Sequence, residues 1–138
     1  MKYRKLNSYK FLVMEDYTIQ IKICPASDLV FRFMELSKTG KLTIRQGYAW
    51  DGASGLPITP NSIMRGSLIH DTLYQLMRLE ALDYKIYRLQ ADQILRQCCI
   101  EDGATTGAAS IVYKAVRMFG ESCAKPTPAQ EVKVYESP

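Results

Sequence analysis

The stretch Asn61–Leu79, with the sequence NSIMRGSLIHDTLYQLMRL, carries the pattern from which the fold and the site of this chain are best inferred. It follows a segment rich in glycine and proline and is predicted to be a helix. On such a helix His70, Asp71 and Tyr74 share one broad face and gather a base, a carboxylate and a phenol. This cluster fits a functional site, and it fits equally a structural patch of hydrogen bonds, because buried polar groups need partners.

A second helix is predicted from about Leu82 to Asp102. If the two helices fold back on each other at residues 80–82, Asp92 faces His70, the only histidine of the chain. A carboxylate that holds one imidazole nitrogen fixes the tautomer and leaves the other nitrogen free to take a proton from water. His70 and Asp92 are therefore the predicted catalytic pair. The phenols predicted to support them are those of Tyr74, Tyr84 and Tyr87.

Asp71 points to a different part of the face and needs its own explanation. The preceding loop over 51–60 is rich in glycine, so its backbone carbonyls can turn toward one point. A carboxylate opposed by such carbonyls suits calcium, which takes hard oxygen ligands in variable geometry. The predicted calcium ligands are Asp71 and the loop residues Trp50, Gly52 and Gly55. Trp50 and Ser54 are predicted to line a substrate groove.

The remaining patterns predict an α+β fold of antiparallel hairpins, an antiparallel helical pair and a third helix. One hairpin joins Lys10–Met14 to Tyr17–Ile23, and a second joins Val30–Leu36 to Leu42–Arg45. The predicted helix boundaries are an N-cap at Asn61 or Ser62, a stop at Gly103, and a third helix from Thr105 or Thr106 to Gly120. A single domain over 1–138 is expected, with a β-rich part (1–50), a loop (51–60), a helical core (61–120) and a tail (121–138) that could add a short edge strand at Val132–Tyr135.

Composition excludes several classes of function. The chain has 138 residues, 47% of them hydrophobic, which is typical of one globular domain. Its net charge of +4 is partly concentrated in a basic N-terminal arm, and no helix carries a stripe of basic and aromatic residues, so a nucleic-acid partner is not expected. Without an apolar leader or a membrane-spanning run, a cytoplasmic place in the host cell or a place in the virion is expected.

Other chemistries have little support. The four cysteines lack metal-ligand or redox spacing, so reduced thiols are expected. Phosphohydrolases named for a His-Asp doublet need further histidines for their metals, and no nucleophile elbow surrounds Ser54 or Ser67.

Four motifs occur in order between Gly47 and Gly120: YAWDGASGLP at 48–57, IHDTLY at 69–74, ADQIL at 91–95 and YKAVRMFG at 113–120. Together they resemble an uncharacterised family of small proteins found in phages and prophages. The same core resembles the catalytic helices of phospholipase A2, where a glycine-rich calcium loop precedes a helix bearing His-Asp-x-x-Tyr and an antiparallel helix supplies a buried aspartate. This resemblance implies a phospholipase A2-like helical core, with His70 as the base, Asp71 as the calcium ligand, and Tyr74 and Asp92 as the supporting shell.

The chain also departs from that enzyme. It has no disulfide framework around the His-Asp pair, it carries Pro57 and Pro60 in the loop, and its N-terminal hairpins have no counterpart there. Two hypotheses therefore follow. One is a calcium-dependent hydrolase of phospholipids or other esters. The other is a non-enzymatic phage accessory or virion protein with a phage or host protein partner, in which His70, Tyr74 and Asp92 form a structural network.

Overall fold

The computed structural model describes residues 1–7, 10–52 and 58–126. Strands come first and helices follow, which confirms the predicted α+β class. These residues divide into two compact units, a β unit that ends at Asp51 and a helical unit that begins at Gly52. The division falls one residue after the start of the predicted loop. That the two units form a single domain stays a prediction.

The described part of the β unit contains two antiparallel sheets. In chain order the strands are β1 (Tyr3–Lys5), β2 (Lys10–Val13), β3 (Tyr17–Gln20), β4 (Leu29–Val30), β5 (Met34–Leu36), β6 (Lys41–Ile44) and β7 (Ala49–Asp51). One sheet has the order β1-β2-β7 and the other has the order β3-β6-β5-β4. Apolar side chains that alternate along β5 and β6, among them Leu36, Leu42 and Ile44, are fully buried.

The predicted hairpin between β2 and β3 is wrong. The strand β2 pairs with β1 and β7, whereas β3 pairs with β6 in the other sheet. Between β2 and β3, the Asp16 carboxylate accepts a hydrogen bond from the Gln46 backbone amide (2.8 Å). It also forms an ion pair with Arg45 (2.9 Å). These contacts tie the β2–β3 connection to the β6–β7 connection. Each of these two connections carries the chain from one sheet to the other.

The second predicted hairpin is confirmed in part. The strands β5 and β6 pair around Lys38–Gly40, where Gly40 has φ +86° and an added Cβ would lie 2.2 Å from the Ile21 carbonyl oxygen. The predicted strand Val30–Leu36 is instead divided. The Phe31 amide donates to the Met34 carbonyl across a tight turn, so β4 and β5 form a hairpin of their own.

The described part of the helical unit contains α1 (Pro60–Arg78), α2 (Tyr84–Glu101), α3 (Thr106–Phe119) and the short α4 (Glu121–Ala124), which was not predicted. The cap of α1 is Thr59 and not Asn61 or Ser62, because Pro60 occupies the first helical position, where its missing amide proton costs nothing. The hydroxyl of Thr105 caps α3, as predicted. Val132–Tyr135 lie outside the described residues. None of the described helices combines the length and the hydropathy needed to cross a membrane.

The helices α1 and α2 approach closely at Gly66. A Cβ added there would lie 3.1 Å from Leu95 Cδ1 and 3.2 Å from Cys98 Cβ, so the absence of a side chain allows the contact. Beside it, α3 packs Ala109 and Val112 into the same apolar cluster as Leu95. This packing fixes the helical pair that carries the site.

Both α1 and α2 end in the same backbone motif. After α1 the amides of Glu80 and Ala81 donate to the carbonyls of Met77 and Leu76, and after α2 the equivalent bonds run from Gly103 and Ala104. This motif places one residue in the left-handed region, where φ is +62° for Glu80 and +102° for Gly103. Glutamate adopts that conformation at a cost that glycine avoids.

We predict that Glu80→Gly raises the free energy of unfolding by up to about 1 kcal/mol, because it removes left-handed strain at an exposed position. Gly103→Ala should lower it by about 1–2 kcal/mol through strain alone, since the nearest atom to an added Cβ is 3.8 Å away. Urea unfolding of both variants tests this. Glu80→Gln is the control for charge, and an equal gain in that variant would contradict the strain argument.

Candidate functional site

The centre of the site joins α1 to α2. Nε2 of His70 lies 2.7 Å from Oδ1 of Asp92, which confirms the predicted register. Asp92 is fully buried and His70 is 6% exposed. Since an ionised carboxylate only accepts hydrogen bonds, the proton of this bond resides on Nε2.

Asp92 accepts three hydrogen bonds, two from side chains of α1 and one from a side chain of α3. Besides His70, the Tyr74 hydroxyl donates to Oδ1 at 2.6 Å, and Nη1 of Arg117, on α3, donates to Oδ2 at 2.8 Å. Burial by itself would raise the pKa of Asp92. The hydrogen bonds from His70, Tyr74 and Arg117 outweigh it and hold the pKa below its usual value. The group is therefore a stable buried carboxylate.

Tyr74 links the carboxylate to a second arginine. Its hydroxyl donates to Asp92 and accepts from Nε of Arg88 at 3.1 Å, while its ring packs on the His70 ring with centroids 4.1 Å apart. Burial, followed by the hydrogen bond and charge of Asp92, raises the pKa of this phenol, against a smaller opposing effect of Arg88. Tyr74 therefore remains a neutral donor.

Arg88 also holds the end of α3. Its Nη2 donates to the carbonyls of Val116 (2.6 Å) and Arg117 (2.9 Å). Gly120 leaves room for this arrangement, because a Cβ there would lie 2.9 Å from the Tyr74 hydroxyl oxygen and 2.5 Å from the Val116 carbonyl oxygen. The last turn of α3 is thereby fixed against the His70–Asp92 pair.

The opposite edge of the imidazole faces Asp71. Nδ1 of His70 lies 4.0 Å from Asp71 Oδ1, beyond hydrogen-bond distance, and the side chain of Asp71 is 35% exposed. With the proton on Nε2, Nδ1 carries a lone pair, so two acceptors face each other there.

Two predicted supporting residues are not brought to Asp92. Among the described residues, neither Tyr84 nor Tyr87 hydrogen-bonds its carboxylate, and Tyr84 instead lines a groove with Met77 and Pro126 where α1 turns into α2. Residues four apart on a helix share a face, so Arg88 lies toward Asp92 while Tyr87 is turned away. Arg117, which bonds Asp92 directly, and Arg88, which bonds Tyr74, take the supporting place that was predicted for Tyr84 and Tyr87.

The predicted calcium ligands are only partly described. Trp50 lies in the β unit, where its ring packs against Tyr3 (5.9 Å between centroids) and Phe11 (5.6 Å). Gly52 begins the helical unit, and the remaining predicted ligand, Gly55, lies outside the described residues. Ser54, predicted to line the substrate groove with Trp50, lies outside them as well. In the part of the chain that the structure describes, no cluster of three or more His, Cys, Asp or Glu side chains could hold a metal. A calcium site built from Asp71 and backbone carbonyls stays a prediction.

Sequence reasoning missed Arg88 and Arg117. A signal for Arg88 was present, because it lies on the buried stripe of α2 that also contains Ala91, Asp92 and Leu95. A charged residue on such a stripe indicates a buried partner. Arg117 gave no comparable signal, since it lies in the last turn of α3, beyond the buried residues Ala109 and Val112.

Comparisons of the chain with protein-family models, with curated proteins and with solved structures gave no match. The resemblances to the phage family and to phospholipase A2 therefore stay predictions, and the site is interpreted from its own geometry.

We predict that Asp92→Asn lowers the free energy of unfolding by about 3 kcal/mol, the lower end for breaking a buried ion pair, because the Arg117 side chain is 32% exposed. Chemical denaturation at pH 7 measures it. Glu101→Gln, which breaks the exposed ion pair with Arg65, is the control and should cost less than about 1 kcal/mol. Equal losses would show that Asp92 contributes no more to stability than an exposed ion pair does.

The difference in stability between wild type and Asp92→Asn is predicted to depend on pH. Because the pKa of Asp92 is lowered in the folded state, its contribution is complete above the ordinary value of 3.8 and is lost as the pH falls through the lowered pKa. The difference in unfolding free energy between wild type and Asp92→Asn should therefore shrink in strong acid. A constant difference from pH 7 to pH 2 would contradict this.

Proposed function

We propose that the chain is a phage-type hydrolase in which His70 and Asp92 form a general-base dyad that cleaves an ester. One observation carries the proposal: the Asp92 carboxylate holds Nε2 of His70 at 2.7 Å in a fully buried position. The tautomer is thereby fixed, and the lone pair of Nδ1 is directed toward the partly exposed side of α1, beside Asp71.

In the proposed reaction Nδ1 takes a proton from a water molecule while the water oxygen attacks the ester carbonyl carbon. The resulting tetrahedral intermediate carries its negative charge on the former carbonyl oxygen. Its collapse breaks the bond to the alkoxy group, which receives the proton from His70 and leaves as an alcohol. The products are a carboxylic acid and an alcohol, and the dyad returns to its starting state.

Calcium is the proposed cofactor, with Asp71 as its carboxylate ligand. A partly exposed carboxylate 4.0 Å from Nδ1 has the hard oxygen donors that the ion prefers. When bound, calcium would supply positive charge for the oxyanion of the intermediate. The proposed substrates are phospholipids or other esters, a choice that rests on the resemblance to phospholipase A2, and the proposed place of action is the host cytoplasm or the virion.

A second function is favoured by a different observation. Arg117 neutralises Asp92, and His70 is more than nine-tenths buried, as in a network that serves stability. The chain would then be a non-enzymatic phage accessory or virion protein that binds a phage or host protein. His70, Tyr74 and Asp92 would hold its helices together.

We predict that His70→Gln lowers ester hydrolysis by about 10²–10⁴-fold, the usual contribution of a general base. The glutamine amide can still donate to Asp92, so the variant should keep most of its stability. Hydrolysis is measured on p-nitrophenyl esters and on phosphatidylglycerol vesicles, with melting temperature in parallel. No cleavage by wild type, together with a large loss of stability in His70→Gln, would favour the structural network.

Calcium binding has its own test. Millimolar calcium should raise the melting temperature, because a ligand bound only by the native state stabilises it by RT ln(1 + [L]/Kd), about 2.7 kcal/mol at 100 times Kd. Asp71→Asn should lose this shift, and Asp83→Asn, at the exposed cap of α2, should retain it. An equal shift in all three chains would assign the calcium to another site, and no shift in wild type would remove calcium from the proposal.

A further inference from the structure

The carboxylate of Asp92 is held by two elements at once. Its Oδ1 serves α1 through His70 and Tyr74, and its Oδ2 serves α3 through Arg117. A carboxylate held at one oxygen can still turn about its terminal bond, whereas one held at both oxygens cannot. The bond from Arg117 therefore determines which oxygen faces the imidazole.

Arg117 is itself fixed by its neighbours. Arg88 donates to the carbonyls of Val116 and Arg117, so the backbone that carries the guanidinium is tied to α2, one turn from Asp92. The guanidinium of Arg88 also donates, through Nε, to the Tyr74 hydroxyl at 3.1 Å. Arg88 thus orients Tyr74 and Arg117, the two partners of the Asp92 carboxylate other than His70.

We propose that Arg117, held in place by Arg88, is a positioning residue that aims the Asp92 carboxylate at His70. It acts through Asp92, because its Nη1 donates to Oδ2 whereas the imidazole is bonded to Oδ1. As a contribution to catalysis this rests on the proposed function, but as a contribution to geometry it is measurable without a substrate.

The charged and polar groups around the imidazole come from all three long helices. Asp71 and Tyr74 belong to α1, Arg88 and Asp92 to α2, and Arg117 to α3. Among them Arg117 is the donor to Oδ2 of Asp92. Loss of this one bond leaves a buried carboxylate oxygen without its donor, and the carboxylate is then free to turn away from His70.

The test measures the imidazole directly. His70 is the only histidine, so the ring N–H proton bound to Asp92 gives a single, assignable NMR signal. In Arg117→Ala this signal should shift upfield and broaden as the hydrogen bond lengthens and exchanges with water. In Arg117→Lys, which keeps a charged donor, it should stay close to the wild-type position. Arg96→Gln, which loses a contact with the Tyr113 ring outside the network, is the matched control and should leave it unchanged.

Activity provides the second measurement. Ester hydrolysis by Arg117→Ala should show a kcat lower by about 10- to 100-fold with little change in KM, since positioning a base affects the reaction and not substrate binding. Arg117→Lys should recover most of the loss. A wild-type chain that cleaves no ester would overturn the hydrolase proposal alone, because the NMR signal would still report the position of Asp92.

Two results would overturn the positioning role. One is a folded Arg117→Ala chain whose ring N–H signal is identical to that of wild type. The other is loss of the folded state in both Arg117→Ala and Arg117→Gln, since that would assign Arg117 to stability alone. Folded variants with a changed signal, restored in Arg117→Lys, are the expected outcome.

Discussion

The helical unit depends on one buried charge. Asp92 is completely removed from solvent, and an isolated carboxylate in that position would be strongly unfavourable. Three donors compensate for it: an imidazole and a phenol from α1 and a guanidinium from α3. The requirement to satisfy this one group therefore brings three helices to one point. Packing at Gly66 and around Leu95 supplies the close approach, and Asp92 determines which side chains meet.

In the proposed hydrolase, the same contacts would serve stability and chemistry. The hydrogen bond that satisfies Asp92 also fixes the tautomer of His70, and the fixed tautomer is what a general base requires. Arg117 then holds the other carboxylate oxygen, and Arg88 holds Tyr74 and the backbone of Arg117. For this reason burial of the network is compatible with both proposed functions, and what distinguishes them is the role of Nδ1, the imidazole nitrogen that faces Asp71.

The helical core could be predicted further than the β unit. The motif from His70 to Tyr74 defines a helix face, and a short turn between two helices permits few registers, so His70 and Asp92 could be paired from the sequence. Strand alternation has less power, since it assigns side chains to faces and says nothing of the neighbouring strand. The hairpin from Lys10 to Ile23 was predicted on proximity alone. The chain instead passes from one sheet to the other at Asp16, held there by the distant residues Arg45 and Gln46.

The sequence by itself determined the face that carries His70, Asp71 and Tyr74, the end of α2, the start of α3, and the opposition of Asp92. Each of these follows from helical periodicity or from a local backbone signal at Thr105 and Gly103. Only the tertiary structure decided that arginines, and not Tyr84 or Tyr87, complete the shell. Arg117 reaches Asp92 across 25 residues of sequence, and such a contact depends on how α3 packs and on a long flexible side chain. Local spacing determines which residues share a helix face, but the partner that a third helix brings to that face is decided by packing.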